Sequence, residues 1–179
     1  MIKAIIAFVL LFTLDNLLVI FFPIQPIFGN YLVVPYLLLI GLCIYTFYDE
    51  KNYSFWLAIV FGLIYDIFAT NLLGLYIIMF PTMVMLIKKR LVEVTPVNFI
   101  SIFYVSTVAI LAVEIIVYTF VRIITARNMT LLEFAQYRLF ITLIFNTFLL
   151  LIFYLPLVKF LQPKPEKKVK TIMMDNTAA

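Results

Sequence analysis

YSFWLAIVFGLIYDIFATNLLGLYIIMFPTMVMLI, residues 53–87, is the stretch whose reading decides the fold. It is 35 residues long, and Asp66 is its only charged residue. As one helix it would extend over about 50 Å, at about 1.5 Å per residue, against a bilayer hydrocarbon core of about 30 Å. It must therefore fold back on itself. The apolar run is interrupted at Ala69-Thr70-Asn71, with Gly74 just behind, and these are the residues that favour a turn. Two short spans result, 54–68 and 72–87, and Pro81 is expected to kink the second. The pair is tight, and both members are short for a full crossing of the bilayer.

Composition points the same way along the rest of the chain. Of 179 residues, 66% are hydrophobic and 12% charged; a soluble domain is about half apolar and about a quarter charged. Such a chain must place apolar side chains in lipid, where only helices or closed barrels satisfy their own backbone. Barrel strands alternate apolar and polar residues, whereas runs such as 100–124 are continuous, so helices are expected. Histidine is absent, which excludes Ser-His-Asp triads and His-ligated zinc. Cys43 is the single cysteine, so no disulfide can close within the chain, and it reads as a small packing residue. No Walker loop, G-x-S-x-G elbow or paired-cysteine site occurs, and four glycines leave no phosphate cradle. No catalytic residue, cofactor or metal is expected, and no nucleic-acid partner.

Residues 2–22 form the first span. Lys3 followed by an apolar run imitates a signal peptide, but no small-residue cleavage site follows, so the segment reads as a retained span. After a loop with Pro23, Pro26 and Gly29-Asn30, the second span is expected over 31–48, with Pro35 tolerated in its first turns. Thr95 as cap and Pro96 as first helical residue open span five, 97–124. Thr130 and Glu133 have capping-box spacing, so a helix should start at Leu131. Its first part, with Glu133, Gln136 and Arg138, reads as interfacial before span six enters lipid and ends near Gln162-Pro163. The outcome is one all-α, six-span domain over 1–162 and a disordered basic tail over 163–179. With six spans, ten of the 13 basic residues fall on the side of the termini, leaving Arg122, Arg127 and Arg138 on the other. Both termini are then cytoplasmic, and the tail lysines attract anionic lipid. Tyr31, Tyr36, Tyr45, Tyr48, Tyr53 and Trp56 lie near span ends, as an interfacial aromatic belt does. Asn52 and Asn128 fit the glycosylation pattern, which carries little weight alone.

Acids inside a span cost about 2.5–3.5 kcal/mol each and usually face protein. Asp66 shares a helix face with Gly62, where a small residue admits a close neighbour. It can accept hydrogen bonds from backbone N–H groups at the turn or at the start of span four, or it can contact a ligand or partner. Glu114 lies deeper. It can be protonated or bonded to Tyr118 or Asn146 as helix-to-helix glue, it can meet a partner, or it can couple to protons or ions. Asp15-Asn16 is either interfacial or a helix contact. No basic residue is placed deep in any span, which argues against an ion pair within the membrane.

Phe61-Gly62-Leu63-Ile64-Tyr65-Asp66-Ile67-Phe68, followed by Leu73-Gly74-Leu75-Tyr76, resembles the G-L-x-x-D…L-G pattern of the MreD family of rod shape-determining membrane proteins. Pro35-Tyr36-Leu37-Leu38-Leu39, the length, the six-span layout and the short basic tail are similar to that family too. The resemblance implies a fold similar to the substrate-binding subunits of energy-coupling-factor transporters. It implies a non-enzymatic scaffold of the bacterial cell-elongation machinery, in the plasma membrane, supporting peptidoglycan synthesis. Its implied partner is MreC, a bitopic protein with a periplasmic domain, with MreB, RodA and a class B penicillin-binding protein in the wider complex. Gly62, Asp66 and Gly74 are the positions it carries over, in structural or partner-facing roles. Two rivals stand beside it. A small-molecule-binding transporter subunit would show outer loops richer in polar groups than these. An intramembrane enzyme would need Asp66 and Glu114 to act together.

Overall fold

The computed structural model describes residues 2–21, 32–70, 74–92, 96–125 and 130–162. They form six helices: α1 (Ile2–Phe21), α2 (Leu37–Tyr48), α3 (Tyr53–Tyr65), α4 (Tyr76–Arg90), α5 (Phe99–Thr125) and α6 (Leu131–Leu161). There is no strand among the described residues. Three helices, α1, α5 and α6, are long and apolar enough to cross a membrane, while α2 and α3 are shorter apolar helices. Two π-helical turns interrupt the regular winding, Asp66–Thr70 as a continuation of α3 and Ala135–Leu139 within α6.

The 53–87 stretch does fold back. The helix holds through Thr70, and α4 begins at Tyr76, four residues after the expected start of span four. Gly74 has φ +110°, a conformation that side-chain-bearing residues rarely adopt. Pro81 lies buried inside α4, which continues through it.

Two expected boundaries are corrected. The second helix starts at Leu37 and not near 31, and residues 32–36 are non-helical. Proline at 35 disfavours helical backbone at Val34, and the non-helical segment finds other hydrogen-bond partners, described below. Helix α5 starts at Phe99, and Asn98 is its cap, its Oδ1 accepting the Ser101 N–H at 2.8 Å. Pro96 precedes the helix and its carbonyl accepts the Asn98 N–H, so it is not the first helical residue. Thr95 lies outside the described residues, as do Asn128 and the 163–179 tail. The Thr130–Glu133 capping box is present in both directions, with Leu131 the first helical residue.

Helix α2 is apolar on every side, and such a helix belongs in a core. All of Leu37–Phe47 is buried. It packs against each of the other five helices. Around it, α3 packs on α4, α4 on α5, α5 on α6, and α6 on α1. Ring contacts of Phe8 with Phe61 and of Phe12 with Tyr65 join α1 to α3 and close the circle. The outward faces of the ring are apolar: Ile100, Tyr104 and Val108 on α5 and Ile144, Phe148 and Leu155 on α6 are exposed.

Candidate functional site: the buried polar interior

Three polar assemblies lie inside the ring. The first is the α3–α4 turn. Asp66 is fully buried and accepts the N–H groups of Gly74, Tyr76 and Ile77 at 3.1, 2.8 and 3.1 Å. A helix start leaves such donors without intrahelical partners, and a carboxylate there also meets the positive end of the helix dipole. One turn earlier, a Cβ at Gly62 would sit 2.6 Å from the Tyr76 carbonyl oxygen. Any side chain at Gly62 would push α4 off α3 and pull its first turn away from Asp66.

The second assembly holds residues 32–36. In lipid, irregular backbone survives only where protein covers it. Here Leu32 N–H donates to the Tyr137 carbonyl, and Asn146 donates to the Val34 carbonyl while its Oδ1 accepts the Tyr36 N–H at 2.7 Å. Thr142 adds longer contacts to Val34 N–H and the Leu32 carbonyl. Asp15 then accepts the Leu37 and Leu38 N–H groups at 2.8 and 3.0 Å, so it caps α2 from α1. That is a helix contact, one of the two roles open to it.

The third assembly is an ion pair. Glu114, fully buried on α5, accepts Arg138 Nε at 2.7 Å and Nη2 at 3.3 Å in a two-pronged pair, and Tyr36 Oη at 2.8 Å. Tyr76 Oη lies 3.4 Å from Tyr36 Oη. This corrects two expectations. The spans do enclose an ion pair: Arg138 sits on the π-helical turn of α6 and points inward, with its side chain 19% exposed, against the fully buried Glu114. The partners of Glu114 are Arg138 and Tyr36, not Tyr118 or Asn146. Tyr118 stacks on Phe134 and accepts from Arg122.

Sequence reading missed Arg138, Tyr36 and Tyr76 as parts of this interior. A signal for Arg138 does exist. Arg138, Thr142 and Asn146 recur every four residues, which places three polar side chains on one face of an otherwise apolar helix. Asp49 follows α2 directly, in the loop that leads to α3. It is 7% exposed, accepts from the Ser54 N–H and hydroxyl, and pairs with Lys88 at 3.8 Å. Each of these acids therefore has hydrogen-bond donors inside the fold.

The profile of the family described as MreD, rod shape-determining protein MreD, matches residues 2–164. The chain belongs to the MreD family. No curated protein and no solved structure matches it. MreD proteins are a membrane family of the MreBCD shape-determining system, and membership gives this chain a role in rod-shape determination. Across that match run the Gly62-Asp66-Gly74 turn, the Asn146-held segment and the Glu114–Arg138 pair.

Proposed function

We propose that the chain is a non-enzymatic scaffold of the cell-elongation machinery. It crosses the plasma membrane six times with both termini cytoplasmic, and it binds the transmembrane region of MreC. MreB, RodA and a class B penicillin-binding protein complete the wider complex, whose output is peptidoglycan synthesis. The family match over residues 2–164 is the observation that carries this reading. The interior supports it. Asp15 and Asp66 accept helix-start N–H groups, and Glu114 is held by a guanidinium and a phenol. These are groups that fix a shape. The broad apolar faces of α1, α5 and α6 supply surface for other membrane helices.

Co-expression of MreC with the tagged chain tests the reading. MreC should remain bound through detergent extraction and affinity purification. Recovery of the chain alone under conditions where MreC is extracted intact overturns it. Orientation is tested separately, on a Cys43→Ala background. Lys51→Cys should react with an impermeant maleimide only in opened cells, and Thr130→Cys should react in intact ones. The reverse pattern refutes the topology.

A further inference from the structure

Away from the polar interior, a cavity of about 440 Å³ opens between the start of α3 and the last two turns of α4. Phe55, Trp56 and Met85 form its apolar wall, and Asn52, Lys88 and Lys89 stand at its mouth. Its size lies within the range of about 300–1,000 Å³ typical of ligand sites. Trp56 is 64% exposed and Met85 42% exposed, so the wall turns outward. Tryptophan and lysine so placed match the boundary between headgroups and acyl chains.

The mouth carries an excess of positive charge. Its lining holds two cations, Lys88 and Lys89, and no acid. Lys88 donates to the Asp49 carbonyl at 2.7 Å and pairs with its carboxylate, which fixes the ammonium at the mouth with donors to spare. Lys89 is exposed and enters no ion pair among the described residues. An apolar wall beneath an ammonium pair is the chemistry that receives an acidic headgroup attached to a hydrocarbon chain.

We propose that this groove binds one anionic phospholipid. Lys88 and Lys89 hold the phosphate, the Asn52 amide donates to a headgroup oxygen, and the upper acyl chain lies on Phe55, Trp56 and Met85. The site stands on its own chemistry and does not depend on the capture of MreC.

Native mass spectrometry of the full chain in non-ionic detergent tests the site, with phosphatidylglycerol and phosphatidylcholine of identical acyl chains offered together. One phosphatidylglycerol should be retained in clear preference to phosphatidylcholine. Lys89→Gln should lower that retention about fivefold, as expected for one basic residue near an anionic headgroup. Met85→Trp, which fills the wall, should lower it while the melting temperature stays near that of the parent. Arg90→Gln lies outside the groove and should change little. Equal retention of the two lipids overturns the proposal, as does a loss in Arg90→Gln as large as in Lys89→Gln. Displacement of the lipid by millimolar inorganic phosphate would point to a simple anion site and also overturn it.

Discussion

The α3–α4 turn and the Glu114–Arg138 pair both bury a carboxylate, and they do so in opposite ways. Asp66 is satisfied by backbone N–H groups eight to eleven residues further along the chain. Glu114 is satisfied by side chains from two other elements, 24 residues ahead and 78 residues behind. In the first region the acid completes a helix start, and geometry is enforced by glycines. In the second it neutralises a cation and ties α5 to α6 and to the start of α2. A local device can be removed at the cost of one helix end. A long-range pair, once halved, leaves an uncompensated charge inside the bundle.

The largest expected effect follows from that difference. Arg138→Met should destabilise the chain by about 3–5 kcal/mol, because Glu114 is left buried without its cation. Unfolding in mixed detergent measures it. Adding Glu114→Leu to Arg138→Met should recover most of the loss, since a pair replaced by apolar groups is often near neutral. A double variant that loses the sum of the single effects would break the comparison. Next comes Asn146→Leu, which strands the Tyr36 N–H and the Val34 carbonyl. At about 1–3 kcal/mol for an unsatisfied buried group, a loss of about 3 kcal/mol is expected, with faster amide exchange at Tyr36. Asp66→Ala removes a charged helix cap and should cost about 2 kcal/mol, with Asp66→Asn milder. If Asp66→Ala proved costlier than Arg138→Met, the division into local and long-range devices would fail. The smallest effect belongs to Gly74→Ala, about 1 kcal/mol. A Cβ there meets nothing within 4 Å, so only the backbone conformation is penalised.

What could be read from sequence divides along the same line. The fold-back of residues 53–87 follows from length alone, and the Asp66 bonds follow from an acid placed just before a turn and a new helix. The Thr130–Glu133 box was legible because all its partners lie within four residues. The start of α2 was not. Nothing near Val34-Pro35-Tyr36 says that Asn146, 110 residues away, will take over the hydrogen bonding that a helix would have provided. The ion pair was hidden for a related reason. Arg138 follows a correctly read helix start by only seven residues, so it looks interfacial until the π-helical turn and the packing of α6 on α5 direct it inward.

The non-helical segment at residues 32–36 has a consequence for how the protein is made. Its backbone partners, Thr142 and Asn146, leave the ribosome more than a hundred residues after it does. Until then the entrance to the central helix has open amide and carbonyl groups, and Glu114 still awaits Arg138. A nascent chain stalled after α5 would therefore hold five inserted or partly inserted segments with no finished centre. Helix α6 closes the entrance to α2, so the central helix is finished only once residues 137–146 have been made and packed against it.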